Sequence, residues 1–274
     1  MSALGSGTTL EELTQRAKSI RRHVVDMVTR SKSSHVGTCL SIVDALTVLY
    51  FRTLRQDPAR PEDPDRDRFV LSKAHGSAAL YATLAERGFF STELLARYYV
   101  DGGKLPGHLD REAAPGVETS GGSLGHGLSI GVGMALAQKM DGRSSRVYVL
   151  VGDGECNEGS IWEAAMLAPQ LKLHNLTVLV DYNQIQSLGR TNDIIDQRNL
   201  SERWRAFGWD ARDVDGHNLA ALDDVLSAPP SEKPRALILH TVKGKGVSFM
   251  EDKLLWHYRS PNEAEYAQAM KELQ

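Results

Sequence analysis

Val147-Tyr148-Val149-Leu150-Val151 runs directly into Gly152-Asp153-Gly154-Glu155-Cys156-Asn157-Glu158-Gly159. The first five residues are β-branched, aromatic or aliphatic, with no polar alternation. A run of that kind reads as a strand buried on both faces, as in a parallel sheet covered by helices. From Gly159 to Leu171 the spacing turns helical, so the stretch reads as strand, turn, helix. Open parallel sheets bind ligands beyond the carboxyl ends of their strands. At that point this chain places an aspartate between two glycines, which let a backbone approach a ligand closely, ahead of a helix start that can turn N–H groups toward an anion.

The same pattern recurs outward along the chain. Arg68–Leu71, Leu176–Val180 and Ala236–Leu239 read as further buried strands. Helices are expected at 10–30, 40–54, 77–87, 124–140, 197–206 and 219–227, with a polar helix over 262–274. The alternation predicts an α/β fold: one doubly wound parallel sheet with helices on both faces and a helical N-terminal region, all within a single domain over residues 1–274. The stretch 55–67 is rich in proline and charge, a surface loop. The stretch 100–123 is Gly-rich and aperiodic, a long loop of the kind that often carries function.

Composition narrows the classes. In 274 residues, 41% hydrophobic with a net charge of -3, nothing points to nucleic acid or an anionic membrane surface. No apolar run is long enough to span a bilayer. Two cysteines, Cys39 and Cys156, are too few for a disulfide framework, and Met1–Thr9 lacks the apolar core of a signal peptide. A reduced, cytoplasmic setting is expected.

A second strand end follows about thirty residues on, Val180-Asp181-Tyr182-Asn183-Gln184-Ile185. Neighbouring strands would bring Asp153, Asn183 and a backbone carbonyl near Ile185 together. A carboxylate, an amide oxygen and a carbonyl are hard ligands that suit Mg²⁺ or Ca²⁺, and a diphosphate would complete the shell and the charge. Taken singly, Gly-Asp-Gly after a strand is also an ordinary turn, and Asp-x-Asn an ordinary cap. The pair at this spacing leaves both readings open.

At this point the sequence resembles the transketolase family. Gly152–Asn183 resembles the thiamine diphosphate motif shared by many enzymes that use that cofactor. Ser34-His35-Val36-Gly37 resembles the family's Ser/Gly-His-Pro-Gly element, with valine in place of proline. Leu71-Ser72-Lys73-Ala74-His75-Gly76-Ser77 resembles Leu-Ser-x-Gly-His-Gly, with Ala74 for glycine. Gly107-His108-Leu109 with Gly116–Gly125 resembles the family's Gly-rich loop, and Thr241-Val242-Lys243-Gly244-Lys245-Gly246 with Trp256-His257 the end of its diphosphate domain.

The resemblance implies thiamine diphosphate and Mg²⁺ (or Ca²⁺) as cofactors, with Asp153, Asn183 and the Ile185 carbonyl on the metal. It implies that His75, Gly154, Glu158, Asn183, His257 and the Gly122-Ser123-Leu124 turn belong to the thiamine cofactor's binding site, with Glu158 and Glu163 also near a subunit interface, where acids couple two cofactor sites. His35, His108 and His257 are implied to line the substrate channel and to move protons near neutral pH. The implied reaction is transfer of a two-carbon ketol unit from a ketose phosphate to an aldose phosphate. The family's pyrimidine-binding and C-terminal domains are not matched by any segment. They are expected on a second chain, the C-terminal transketolase subunit, in a heterotetramer. Two other readings share the metal motif or the fold: the diphosphate-binding subunit of a 2-oxo-acid dehydrogenase or a deoxyxylulose-phosphate synthase, and a non-catalytic regulatory subunit.

Overall fold

In a computed structural model, residues 7–229 and 231–274 are described; most of the Met1–Thr9 stretch lies outside them. The chain builds α1 (Leu10–Ser31), α2 (Val36–Ser41), α3 (Val43–Val48), β1 (Arg68–Leu71), α4 (Ser77–Arg87), α5 (His126–Met140), β2 (Val147–Gly152), α6 (Gly159–Gln170) and β3 (Leu176–Tyr182). A short hairpin, β4 (Ile185–Gln186) and β5 (Gly189–Arg190), precedes α7 (Thr191–Ile194) and α8 (Leu200–Ala206). Then come β6 (Asp210–Asp215), α9 (Leu219–Ser227), β7 (Arg235–His240) and α10 (Glu263–Glu272).

The main sheet has the order β1-β2-β3-β7-β6, and every pairing in it is parallel. Its strands are apolar on both faces, and the two sets of side chains enter two cores. Tyr148, Leu150, Leu179, Leu237 and Leu239 pack with α1, α3, α4 and α9. Val149, Val151, Val178, Val180 and Ile238 pack with α5, α6 and α8. The N-terminal helices are therefore one of the layers that bury the sheet. α1 starts on a capping box in which the Glu12 N–H donates to Thr9 Oγ1 and the Thr9 N–H donates to Glu12 Oε2.

Some elements differ from expectation. The helix expected over 40–54 begins at Val36 and is broken at Ile42, then ends in a π-helical turn over Leu49–Thr53. The helix expected from 124 starts at His126, because Gly125 is left-handed at φ 87°. The helix expected from 197 starts at Leu200, leaving Gln197 buried in a loop. β6 is a strand that the sequence pattern does not predict: its Asp-Ala-Arg-Asp-Val-Asp sequence reads as polar loop, yet it pairs with β7 at the sheet edge. Charge suits an edge strand, where it discourages pairing with another molecule. No helix among the described residues is long and apolar enough to cross a membrane.

Candidate active site

The parallel register carries four strand ends to one side of the sheet. Gly152 lies beside Asp181, and Tyr182 beside His240. The loops after β1, β2, β3 and β7 meet there around a cleft of about 240 Å³, joined by the start of α2, the long loop and the 3₁₀ turn Leu254–His257. Of the residues singled out from sequence, His35, His75, His108, Gly122, Leu124, Asp153, Gly154, Asn183, Ile185 and His257 line this cleft. Ser123 and Glu158 do not; both are exposed, as is Glu163. Glu158 is the N-cap residue of α6, with an extended backbone and no side-chain capping bond. The glutamate that does line the cleft, beside Asp153, is Glu155, three residues earlier and 2% exposed.

The four expected histidines form a cluster. The His35 ring centroid lies 5.3 Å from that of His75, 5.9 Å from His108 and 5.1 Å from His257. His35 is held in the left-handed region at φ 73°, a conformation costly for a non-glycine residue. Its N–H donates to the His257 carbonyl at 2.9 Å, which ties the two motifs together. Burial, then the charges of His108, Lys243 and Lys73, lower the His35 pKa to about 4. Burial and Lys243 lower that of His257 to about 3. His75 is pushed well below its ordinary value by burial, then Lys73. The three rings are neutral at physiological pH.

Asp153 is 3% exposed. Its Oδ1 accepts from the Gly154 N–H at 2.7 Å, and its Oδ2 from the Gln184 N–H at 2.7 Å and Thr191 Oγ1 at 2.9 Å. Burial, then the neighbouring charge of Asp181, raises its pKa. Asn183 Nδ2 donates to Asp181 Oδ2, which fixes the amide and turns Oδ1 away from Asp181, where it accepts from the Ile185 N–H. The Ile185 carbonyl accepts from Lys243 Nζ at 2.9 Å. The three expected metal ligands therefore line the same cleft, with the Lys243 ammonium beside the Ile185 carbonyl.

Several site groups were missed from sequence. Asp181, fully buried, accepts from Lys73, Ser41, Asn183 and Thr241, so one carboxylate joins four segments. Burial alone would raise its pKa; Lys73 outweighs burial and holds it low. Glu155 accepts from Ser72 Oγ and from the Gly125 and Gly152 N–H groups, and so fixes the turn that carries Gly122 and Leu124. Gln197 donates to the Asp153 carbonyl. Lys243 Nζ also donates to His257 Nδ1 at 2.8 Å. Among the described residues no carboxylate lies within ion-pair distance of Lys243, and burial, then Lys73, lowers its pKa to about 8. The available signal was position: Lys73 and Lys243 each sit just past a strand end, inside a motif already singled out.

This donor set fits a metal–diphosphate group. Asp153 is a buried anion pushed up, and Lys243 a buried cation pushed down; among the described residues neither has an ion-pair contact, and the distant charges of Asp153 and Asp181 do not offset the burial of Lys243. A divalent cation at Asp153 and an anion at Lys243 would supply both. The oxygen ligands are hard, as Mg²⁺ and Ca²⁺ require.

Comparison with known proteins agrees with this chemistry. The family described as "Transketolase, thiamine diphosphate binding domain" matches residues 13–273. An apulose-4-phosphate transketolase subunit of Phocaeicola vulgatus is 42% identical over 269 residues, covering 96% of this chain and 94% of that protein. The 6-deoxy-6-sulfo-D-fructose transketolase subunit SqwG of a Clostridium species is 42% identical over 268 residues, covering 96% of each. Against human transketolase the identity is 38% over 253 residues, covering 90% of this chain and 40% of the human protein. The crystal structure of transketolase from Campylobacter jejuni superposes with a TM-score of 0.90 at 30% identity, covering 97% of this chain and 43% of that one. The chain thus spans 40–43% of the length of these two transketolases. It belongs to the transketolase family, whose thiamine diphosphate binding domain it carries.

Proposed function

We propose that this chain is the N-terminal subunit of a split transketolase, which moves a two-carbon ketol unit from a ketose phosphate to an aldose phosphate. The observation that carries the reading is the opposed pair of buried charges, Asp153 and Lys243, at the strand ends beside four histidines. Asp153, Asn183 and the Ile185 carbonyl would hold Mg²⁺ or Ca²⁺, the cation competing with Lys243 for that carbonyl. Lys243, His75 and the Gly154 backbone would face the diphosphate, and the Gly122–Leu124 turn the rest of thiamine diphosphate. When bound, that cofactor supplies the nucleophilic carbon and the electron sink of ketol transfer.

The chain's own residues bind and steer the sugar. Lys243 donates to His257 Nδ1, so the ring keeps its proton on Nε2 and offers an N–H to a substrate oxygen. His35 has Nδ1 paired with Ser34 Oγ at 2.8 Å. Because their pKa values are low, His35 and His257 are neutral hydrogen-bond partners at neutral pH and do not repel a cation. His108, exposed at the rim, is placed to meet the sugar first. The whole chain acts as one diphosphate-binding domain. The pyrimidine-binding and C-terminal domains come from a second chain, a reading supported by the near full-length match to relatives that are themselves named as transketolase subunits. Two free, buried cysteines suit a reducing cytoplasm.

Mass spectrometry of products tests the reaction. With the partner chain, Mg²⁺ and thiamine diphosphate, a ketose phosphate and an aldose phosphate should exchange two carbons without release of CO₂. Decarboxylation of a 2-oxo acid instead would overturn the assignment.

A further inference from the structure

A buried polar cluster around Asp44 lies outside the cleft. Asp44 on α3 is 5% exposed, and its Oδ2 accepts from Arg21 Nη2 at 2.6 Å and from His217 Nδ1 at 2.7 Å. The far nitrogen of the same ring, His217 Nε2, accepts from the Val242 N–H at 2.8 Å. A backbone N–H can only donate, so Nε2 carries a lone pair and the ring proton sits on Nδ1, facing Asp44. Burial alone would raise the Asp44 pKa; Arg21 and the His217 hydrogen bond outweigh it and hold it low. An ionised carboxylate thereby locks the tautomer that a backbone amide requires.

Val242 stands between two site residues. Thr241 donates to Asp181, and Lys243 donates to Ile185 and His257. This segment leaves the sheet after β7 on three backbone contacts: the Thr241 N–H reaches the Tyr182 carbonyl at 3.4 Å, and the Val242 and Lys243 carbonyls accept from the Lys245 and Asp252 N–H groups at 3.2 and 2.8 Å, so the partner of the Val242 N–H is His217. His217 comes from the loop between β6 and α9, which lines no part of the cleft itself and otherwise touches this segment through the Gly216 N–H, which donates to the His240 carbonyl at 2.9 Å. We propose that His217 is a positioning residue: with Asp44 and Arg21 behind it, it holds the Val242 amide and so aims the Lys243 ammonium into the anion subsite. This rests on the cofactor-site reading above.

The two ring nitrogens can be mimicked separately. Gln places its side-chain oxygen near the Nε2 position and keeps an acceptor for Val242; Asn places it near Nδ1 and does not. On the full chain, the expected result is that His217→Asn loses amide-exchange protection at Val242 and weakens calorimetric binding of inorganic diphosphate with Mg²⁺ by about tenfold, as loss of one charge-assisted contact implies. His217→Gln should retain protection and bind within about threefold of the parent, at a similar melting temperature to the Asn variant. Equal binding by the parent and His217→Asn overturns the positioning role, as does equal weakening in both variants in step with their melting temperatures. A parent chain that fails to bind diphosphate overturns the cofactor-site reading and the positioning role with it, whereas loss of Val242 protection alone marks a local anchor without functional reach and also overturns the proposal.

Discussion

Asp153 bears a charge that the folded chain strains to keep. Burial and Asp181 raise its pKa, so the ionised carboxylate costs stability until a cation arrives. Asp153→Asn removes that repulsion and sacrifices one local hydrogen bond, each worth about 1 kcal/mol in opposite directions. The metal-free variant should melt within about 3 °C of the parent, while calorimetry should show Mg²⁺-dependent cofactor affinity falling tenfold or more. His35 shares the acid sensitivity with His75 and His257, whose pKa values are also lowered. Its folded-state pKa of about 4 lies below the ordinary 6.5. Between those values the unfolded chain binds a proton that the folded chain refuses, so stability is steady above pH 6.5 and declines as pH falls toward 4. His35→Asn should make that decline shallower and leave the share of His75 and His257, a difference of roughly 2–4 °C per kcal/mol in thermal melts compared at about pH 7.5 and 5. In the sequence the histidines were legible because each sits in a motif with glycine, and Asp153 because strand and glycines frame it. Lys243, Glu155 and Asp181 were not. Each is polar and buried only because segments far apart in sequence bring it partners, which no local pattern records.

Helix α5 shows how closely elements meet in this fold. A Cβ added at Gly131 would come within 2.4 Å of Val149 Cγ2 on β2, so the helix lies on the sheet at glycine distance. Gly133, on the same helix, has nothing within 4 Å. Gly131→Ala should cost about 1–3 kcal/mol through overpacking. Gly133→Ala should stabilise the chain by about 0.5–1 kcal/mol through helix propensity. Denaturant titration of the isolated chain checks the opposite signs; a shared sign would remove the packing argument. The elements most legible from sequence were those with a regular apolar pattern between clear flanking residues. β1, α4 and α9 begin and end where periodicity and flanking residues put them. β6 escaped because a strand at an edge can be charged, and its buried Ala211 and Val214 are too few to set a period. The break at Ile42 and the late start of α8 are set by tertiary contacts, Ser41 to Asp181 and Gln197 to Asp153, that override local helical spacing.

The arrangement of the whole molecule leaves the cleft lined by the diphosphate half of a cofactor site. The lone chain should show no ketol transfer with Mg²⁺ and thiamine diphosphate, and addition of the partner chain should restore activity and raise the light-scattering mass to that of a heterotetramer. Robust turnover by the chain alone would sink the split-enzyme reading. The strand order carries a separate consequence for how the protein is made. β6 leaves the ribosome before β7, yet β7 is its only neighbour in the sheet and also separates it from β3. A nascent chain ending before Arg235 can pair β1, β2 and β3 but has nowhere to dock β6, and it lacks the Thr241–Lys243 segment. Closure of the sheet and completion of the cleft are thus one late step of synthesis. Until then β6 and the exposed flank of β3 are open to chaperones, and a chain released before Arg235 lacks Lys243, His257 and the Thr241 contact to Asp181.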